Sequence, residues 1–343
     1  MNDETLGNTP IVHLNNLFQN HNIYAKLEYY NPTFSIKDRA AYNMVYEGIK
    51  QGKIKKGDLL VEASSGNTGL GLCYAAIKFG LRLIVTVFED VPKEKINLLK
   101  AFGTTVVVCS NEYSSSSDYG YVGTAKRIAQ KLDNAILVDQ FNNPDNVLAH
   151  YRYTGPELLQ QLNFDIKYFF STIGTGGTIS GIGRFLKEFD REIRVIGVEP
   201  IGGIYRSDFY GENEIYTDHL IQSISDDFIS SNFDAKYVDD IIQVSDKDSF
   251  AMCYNLMQSE GLCVGTSGGC VVEGISKYLI THKVDESQKI ACIIPDCGLK
   301  YMDTLFNKEY LIQHNIEIQP KTSNKDDLID YLYECFPKIK LIE

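Results

Sequence analysis

One lysine and three glycine-rich loops are the parts of this sequence whose residue types could do chemistry. Lys37 follows a proline-containing loop in "NPTFSIKDRAA", and the loops are "SSGNTG" (64–69), "GTGGT" (174–178) and "GTSGG" (265–269). A lysine amine can hold an aldehyde covalently as a Schiff base. Small residues let backbone N–H groups approach an anion closely at the start of a helix. Together these groups fit a small phosphorylated cofactor, whereas a lone lysine in such a place is ordinarily a surface residue.

Each loop also has a simpler explanation. Residues 64–69 suit a carboxylate, but taken alone they fit an ordinary helix N-cap better. Residues 174–178 suit a phosphate monoester or tight strand–helix packing. Ile179 stands where a dinucleotide fingerprint needs its third glycine, and no Gly-Lys-Ser/Thr follows for a nucleotide P-loop, so a nicotinamide dehydrogenase is the last alternative. Ser267, in the third loop, is by itself ordinary turn chemistry.

Short apolar runs that alternate with helix-forming runs must position these loops. The predicted strands are "LLVEAS", "LRLIVTVF", "TTVVVC", "IKYFFSTIG", "IRVIGVEP" and "QKIACIIPDCG". Apolar strands that alternate with helices are typical of parallel sheets covered on both faces. Open sheets of this kind bind ligands beyond the carboxyl ends of their strands, where a strand leads into a helix. The sequence therefore predicts an α/β fold, although it does not fix the strand order.

Composition and charge argue against several kinds of partner. The chain has 343 residues and a formal net charge of −12, which disfavours nucleic acid and anionic membranes. No apolar run approaches the ~18 residues of a membrane span. The six histidines lack metal-ligand spacing, so we expect no metal site. The start has no signal-peptide pattern and the eight cysteines occur singly, which predicts reduced thiols and a cytoplasmic location.

Several motifs, taken in order, resemble the cysteine synthase/cystathionine β-synthase family of pyridoxal-phosphate (PLP) enzymes. They are "LGNTPIVHLNNL", "AKLEYYNPTFSIKDRAA", "EASSGNTG", "DQFNNPDNVLAHYRYTGPE", "STIGTGGTISGIGRFLKE", "EGLCVGTSGG" and "IIPDCGLKYMDT". The resemblance covers roughly residues 5–307. Such a series of motifs is far more specific than any one of the loops.

The resemblance implies the fold-type II, tryptophan synthase β-like architecture, in which two open parallel-sheet domains hold the cofactor between them. It places residues 1–35 and 141–307 in a larger cofactor-binding domain and 36–140 in a smaller, mobile substrate-loop domain. The tail, 308–343, lies outside the resemblance, and "NKDDLIDYLYECF" within it predicts an amphipathic helix with Asn324 as N-cap. A homodimer is also implied.

The resemblance further implies a role for each matched residue. Lys37 matches the Schiff-base lysine, which also moves the substrate α-proton. The residues matched to cofactor contacts are Asn67 at the ring hydroxyl, Gly174, Thr175, Gly176, Gly177 and Thr178 at the phosphate, and Ser267 at the pyridine nitrogen. The residues matched to the substrate carboxylate are Ser64, Ser65, Gly66, Thr68 and Gln140.

The implied activity is β-replacement on an O-activated L-serine through an aminoacrylate intermediate, with small amino acids as substrates. Cysteine synthase, which makes cysteine and acetate from O-acetylserine and sulfide, fits the motifs best. One alternative is a cystathionine- or lanthionine-type β-synthase. Another is an O-phosphoserine-dependent enzyme that joins glutamate to make a 2,3-diaminopropionate precursor. A non-catalytic relative that acts as a binding partner is the alternative from another class.

One segment departs from the family pattern. Many cysteine synthases carry a Gly-Ile-Gly-like stretch where this chain has Ser223 and Ser225, followed by Asp226 and Asp227, in "HLIQSISDDFISSNF". That stretch borders the substrate cleft in the family. The resemblance therefore leaves the leaving group and the second substrate open.

Overall fold

The computed structural model of the protein describes residues 3–64 and 66–318. Ser65 and the predicted tail helix with its N-cap Asn324 lie outside the described residues. The described residues form the strands β1 Ile11–His13, β2 Asn22–Leu27, β3 Leu59–Ala63, β4 Arg82–Phe88, β5 Thr105–Cys109, β6 Ala135–Leu137, β7 Tyr168–Thr172, β8 Arg194–Pro200, β9 Asp240–Val244 and β10 Lys289–Ile294.

The helices of the described residues alternate with these strands along most of the chain. They are α1 Lys37–Lys50, α2 Asn67–Phe79, α3 Lys93–Ala101, α4 Tyr121–Lys131, α5 Pro144–Ala149, α6 Gly155–Gln161, α7 Gly177–Phe189, α8 Tyr205–Tyr210, α9 Asp246–Glu260, α10 Thr266–Thr281 and α11 Lys308–Gln313. None of the described helices is both long enough and apolar enough to span a membrane.

The larger sheet has the strand order β1-β2-β10-β7-β8-β9. Its strands run parallel except for β1, which pairs antiparallel with β2 at one edge. Neighbouring side chains of β7 point to opposite faces, as a pleated strand requires. Phe169 packs in one apolar cluster with Ile182 of α7, and Phe170 packs in another with Val272 of α10. The sheet is therefore buried on both faces.

The smaller sheet has the order β5-β4-β3-β6, with all strands parallel. Leu60 of β3 packs in a cluster with Leu72 of α2, and the adjacent Val61 packs in a cluster with Ala125 of α4. The predicted α/β fold with buried parallel sheets is thus confirmed. The runs predicted as strands form β3, β4, β5, β7, β8 and β10.

Local sequence explains where helix α2 ends. Gly80 adopts a left-handed φ of 67°, and its N–H donates to the carbonyls of Ala76 and Ile77. Glycine is the residue that takes this conformation at least cost, which is why it closes helices so often. Helix α2 therefore ends at Phe79, directly before this glycine.

The two sheets draw on different parts of the chain. The larger sheet takes strands from residues 11–27 and 168–294, and the smaller sheet takes strands from 59–137. On this division of strands we propose the domains given above, with boundaries near residues 35 and 140.

Candidate active site

The predicted site residues surround two adjoining cavities. The inner cavity is lined by Lys37, Asn67, Gly174, Thr175, Gly176, Thr178 and Ser267, among others. The outer cavity is lined by Lys37, Asn67, Thr68, Gln140, Tyr121 and Asp226, among others. Lys37 and Asn67 therefore lie where the two cavities meet. Most of the candidates that are scattered over more than two hundred positions of sequence converge on one cleft.

Helix α1 begins at Lys37, and backbone contacts fix this start against the larger sheet. The N–H of Ile36 donates to the carbonyl of Pro295, just beyond β10, at 2.8 Å. Burial lowers the pKa of the Lys37 amine, although the carboxylates of Asp296 and Asp226 oppose that shift. A lowered pKa leaves more of the amine unprotonated near neutral pH, which is the form that attacks a carbonyl.

The loop 174–178 joins β7 to α7 and accepts only small residues at its centre. Gly176 has a left-handed φ of 75°, and a Cβ there would lie 2.6 Å from backbone atoms of Phe233. At Gly177 a Cβ would lie 2.2 Å from Oδ1 of Asn146. The N-cap residue of α7, Gly176, has no side chain, and the N–H of Gly177 donates a long hydrogen bond to Oγ1 of Thr175 at 3.4 Å. These backbone N–H groups at a helix N-terminus fit a phosphate group.

Polar side chains of neighbouring elements contact the loop 174–178. The amide of Asn146 donates to Oγ1 of Thr175 at 3.1 Å and to the carbonyl of Gln140 at 2.8 Å. Ser230 Oγ donates to the carbonyl of Thr175 at 2.7 Å. The buried His150, in a π-helical turn between α5 and α6, lies 3.4 Å from Oγ1 of Thr178. The cradle is therefore held by side chains from several elements.

Ser267 lies in the first turn of α10, buried beside the inner cavity. Gly265, two residues before Ser267, cannot be replaced freely, because a Cβ there would lie 2.0 Å from Oδ1 of Asp296. The helix start consequently packs directly against the end of β10. A neutral hydroxyl here suits a ring nitrogen that accepts a hydrogen bond.

Asn67 is oriented by residues that the sequence did not single out. Its Nδ2 donates to Asp296 at 2.7 Å, and its Oδ1 accepts from Lys300 at 2.8 Å. The hydroxyl of Tyr301 also donates to Asp296, at 2.6 Å. Asp296 lies two residues beyond the end of β10, so its place at the carboxyl end of that strand was the available signal.

The residues of the expected substrate loop, 64–69, face different surroundings. Oγ of Ser64 accepts hydrogen bonds from the N–H groups of Gly66 and Gly69, both at 3.0 Å. Ser64 thus caps the start of α2 in this conformation, as the simpler explanation of the loop had it. Thr68 instead lines the outer cavity and donates to Oε1 of Gln140. The substrate-binding roles of Ser64, Gly66, Thr68 and Gln140 stay predictions.

The segment 223–226 forms the wall of the outer cavity opposite the smaller sheet. Ser223 and Ser225 have positive φ angles of 68° and 52°. Asp226 accepts a hydrogen bond from the hydroxyl of Tyr121 at 3.1 Å. Burial raises the pKa of Asp226 to about 6, with repulsion from Asp227 in the same direction.

A second buried lysine connects the two sides of the cleft. Lys95 of α3 donates to Oε1 of Gln222 at 3.2 Å and to the hydroxyl of Tyr301 at 3.3 Å. Its amine lies 4.3 Å from the centre of the Tyr301 ring. Burial lowers the pKa of Lys95 to about 8. The sequence offered no sign of this lysine, because it sits in an ordinary amphipathic helix.

Comparisons with known proteins agree with this geometry. The sequence pattern of the family described as "Pyridoxal-phosphate dependent enzyme" matches residues 3–296. The chain is 35% identical to cystathionine beta-synthase of Apis mellifera over 325 residues, covering 93% of this chain and 64% of that protein. It is 34% identical to cysteine synthase B of Escherichia coli (strain K12) over 314 residues, covering 91% and 97%.

A solved structure extends the similarity to the fold. The crystal structure of O-acetylserine dependent cystathionine beta-synthase from Helicobacter pylori superposes with a TM-score of 0.81 at 33% identity, covering 88% of this chain and 96% of that one. The chain spans 64% of the length of the cystathionine beta-synthase from Apis mellifera. The expected fold-type II architecture and the PLP cofactor are confirmed. The chain belongs to the family of pyridoxal-phosphate dependent enzymes.

Proposed function

We propose that this chain catalyses β-replacement on an O-activated L-serine, and that its activity is that of a cysteine synthase, which makes cysteine and acetate from O-acetylserine and sulfide. One observation carries the proposal: the amine of Lys37, the loop 174–178 and the hydroxyl of Ser267 line a single inner cavity. A reactive amine, an anion cradle and a neutral partner for a ring nitrogen are the set that PLP requires.

The residues of the chain take the following roles in the proposal. Backbone N–H groups of residues 174–178 would hold the phosphate. Asn67 would contact the ring hydroxyl, and Ser267 would contact the pyridine nitrogen. Lys37 holds the cofactor covalently and moves the α-proton of the substrate. When bound, PLP supplies an electron sink for the bonds that break at the substrate α- and β-carbons.

The substrate carboxylate is assigned to the smaller sheet's side of the cleft. Thr68 and Gln140 are buried, line the outer cavity and are hydrogen-bonded to each other. Gly66 and Ser64 lie at the start of the same helix. Movement of this loop toward the carboxylate would exclude water from the reacting carbon.

The charge of the cleft favours a serine activated by an uncharged acetyl ester over one activated by a phosphate ester. Besides Lys37, the charged residues that line the outer cavity are Asp90 and Asp226. O-phosphoserine and glutamate each carry more negative charge than O-acetylserine and sulfide in its neutral form, and carboxylates repel that charge. The enzyme that joins O-phosphoserine to glutamate is therefore the less favoured alternative.

A cystathionine- or lanthionine-type β-synthase is the second candidate. The segment 223–226 favours it, because its side chains are larger and more polar than the Gly-Ile-Gly-like stretch that many cysteine synthases carry there. Similarity to relatives named cystathionine beta-synthase and cysteine synthase B does not separate the two reactions.

Product analysis with a panel of substrates tests the proposal. The PLP-loaded protein is mixed with O-acetylserine, O-phosphoserine or serine, and with sulfide, homocysteine, cysteine or glutamate, and the products are identified by mass spectrometry. We expect cysteine from O-acetylserine and sulfide. A thioether without cysteine would select the second candidate. No product from any pair, in protein that binds PLP, would leave the non-catalytic relative.

We also infer a cytoplasmic location and a homodimer. Every cysteine within residues 3–318 is a thiol rather than a disulfide, which suits a reducing compartment. The homodimer rests on the family resemblance alone. Analytical ultracentrifugation of the purified protein tests it, and a sedimentation coefficient of a monomer at micromolar concentration would overturn it.

A further inference from the structure

Asp226 is a charged residue of the cleft to which the proposed reaction gives no role. It lines the outer cavity together with Lys37, and the hydroxyl of Tyr121 donates to its Oδ1 at 3.1 Å. Tyr121 begins helix α4, which packs on the smaller sheet, whereas Asp226 belongs to a loop between strands of the larger sheet. The hydrogen bond therefore crosses the cleft and fixes the direction of the carboxylate.

The backbone before Asp226 adopts a conformation that few side chains accept. Ser223 and Ser225 both lie in the left-handed region, with φ angles of 68° and 52°. A serine is strained in this conformation, whereas a glycine is not. Strain of this kind persists at functional sites, where the surrounding structure specifies the side chain. Tertiary contacts rather than local preference therefore hold this backbone, since the N–H of Ser225 donates to the carbonyl of Ile173 at 2.9 Å.

Negative charge surrounds Asp226. A further cavity shares Asp90 and Asp226 with the outer cavity, and its acidic lining is completed by Glu112, Asp218 and Asp227. Its described lining residues include neither lysine nor arginine. Oδ1 of Asp227 is buried and has no hydrogen-bond partner in the described structure. The cation that lines the outer cavity with Asp226 is Lys37, whose amine holds the cofactor in the proposed reaction, so these carboxylates attract a further cationic group and repel another carboxylate.

We propose that Asp226 is a specificity-determining residue that selects a second substrate carrying an ammonium group over one carrying an additional carboxylate. This inference rests on the β-replacement proposed above. It goes further by specifying which charge an organic thiol must carry to be accepted by the site. Because Asp226 and Lys37 line one cavity, a thiol that attacks beside Lys37 has its tail within reach of the carboxylate.

The reaction needs no oxidant, reductant or co-reactant beyond the two substrates and the cofactor. The C–O bond to acetate breaks with its electron pair on acetate, the thiol sulfur forms the new bond to the β-carbon, and the thiol proton is released. Asp226 takes no part in bond making, since its role is to bind the ammonium group of the incoming thiol. A charge-assisted hydrogen bond of this kind corresponds to about tenfold to a hundredfold in binding.

The test uses three thiols that differ in the group two carbons from sulfur: cysteamine (ammonium), 2-mercaptoethanol (hydroxyl) and 3-mercaptopropionate (carboxylate). The kcat/KM of each is measured with the PLP-loaded protein and saturating O-acetylserine at pH 8, where Asp226 is ionised. Because the thiols differ in intrinsic reactivity, the deciding quantity is how a variant changes the ratio of cysteamine to 3-mercaptopropionate.

In the Asp226→Asn protein this ratio should fall by about tenfold or more, with 2-mercaptoethanol changed by less than about threefold. The Asp226→Glu protein keeps the charge and should retain most of the preference. Asp133→Asn, at an exposed position after α4, makes the same change in net charge and should leave the ratio unaltered. An unchanged ratio in Asp226→Asn, with 2-mercaptoethanol still reacting, would overturn the selection and leave the proposed reaction standing.

Equilibrium binding separates failure of the selection from failure of the reaction. Calorimetry of the PLP-loaded protein with propylammonium and butyrate, which carry a methyl group in place of the thiol, requires no turnover. We expect propylammonium to bind more tightly to the natural protein and the two to bind alike to Asp226→Asn. Equal binding of the two ions to the natural protein would overturn the selection, whereas lack of reaction with sulfide as well as with every thiol would overturn the proposed function.

Discussion

The two ends of the cleft are built in opposite ways. At the inner end, the loop 174–178 places glycine where a Cβ at Gly176 or Gly177 would meet neighbouring atoms at 2.6 or 2.2 Å. At the outer end, Ser223 and Ser225 occupy left-handed backbone positions where glycine would be less strained. Residue type agrees with backbone conformation at the inner end and conflicts with it at the outer end.

The contrast indicates which end is specialised. A phosphate is bound by backbone N–H groups, so the inner end needs only close approach and few side chains. The outer end retains side chains in spite of strain, and local rules are usually broken where function demands a particular group. We infer that the inner end serves chemistry common to the family and that the outer end sets the substrates of this chain.

The largest expected effect comes from replacing Lys37. Lys37→Ala removes the amine that attaches the cofactor and moves the α-proton, so kcat should fall about a thousandfold or more. Steady-state kinetics with O-acetylserine and sulfide measure the loss. Lys50→Ala changes an exposed lysine at the other end of α1 and should retain full activity. Activity of Lys37→Ala within tenfold of the natural protein would refute the assignment.

A matched pair of glycines tests the inner end. Gly176 and Gly211 have similar φ angles of 75° and 70°, but a Cβ would clash only at Gly176, since nothing lies within 4 Å at Gly211. Gly176→Ala should lower the free energy of unfolding by about 2–4 kcal/mol and weaken PLP binding more than tenfold. Gly211→Ala should cost about 1 kcal/mol and leave PLP binding unchanged.

Urea unfolding and a PLP titration monitored by absorbance provide the two measurements for that pair. Equal losses of PLP affinity in both variants would contradict the cradle, because backbone strain alone would then account for the effect.

Replacing Asp226 should make the protein more stable, because the folded outer end of the cleft disfavours an ionised carboxylate at this position. Burial raises its pKa to about 6 from 3.8, with a smaller contribution from Asp227, while Tyr121 and Lys37 act in the opposite direction. A raised pKa favours the protonated form in the folded state, so stability declines as the pH rises through 6. Asp226→Asn should therefore raise the free energy of unfolding at pH 8 by about 1–2 kcal/mol.

Urea unfolding at pH 5 and pH 8 measures this effect. The gain of the variant over the natural protein should be smaller at pH 5, where Asp226 is largely protonated in the folded state. Asp133→Asn controls for the change in net charge. A variant that is less stable at pH 8 would indicate that the Asp226–Tyr121 contact is structural.

The smallest expected effect comes from replacing Ser225, the strained serine directly before Asp226. Ser225→Gly relieves the left-handed strain but also gives the unfolded chain more freedom, so the two terms nearly cancel. The free energy of unfolding should rise by less than about 1 kcal/mol. A loss above 2 kcal/mol in urea unfolding would mean that the hydroxyl, 3.5 Å from Glu199, holds the loop in place.

Much of the fold could be predicted from the sequence because apolar runs marked the buried strands. Four strands of the described structure were missed. One of them, β9, lies at the edge of the larger sheet and has only two buried residues, so it lacks a continuous apolar run. The other three were of two kinds. β1 and β6 have three residues each, which is too short for a pattern to emerge. β2 contains Lys26, which is fully buried and bonded to Glu157 at 2.6 Å, so a strand of the larger sheet looked polar. Lys26 is accommodated in the sheet by a partner far away in the sequence, so β2 could not be recognised from its own residues.

The candidate site divides in the same way. Loops with a recognisable order, such as 174–178, could be picked out from the sequence, and the structure brings most of them together. Lys95, Lys300 and Tyr301 could not, because their importance comes from contacts with Gln222, Asn67 and Asp296 that only the folded chain creates.

Peptide mass mapping after borohydride reduction of the PLP-loaded protein tests most directly whether Lys37 holds the cofactor. Reduction makes the attachment permanent, and digestion then shows which lysine carries the added mass. We predict the label on the peptide that contains Lys37 and its loss in Lys37→Ala. A label on Lys95 or Lys300, two buried lysines near the cleft, or no label in protein saturated with PLP, would contradict the assignment.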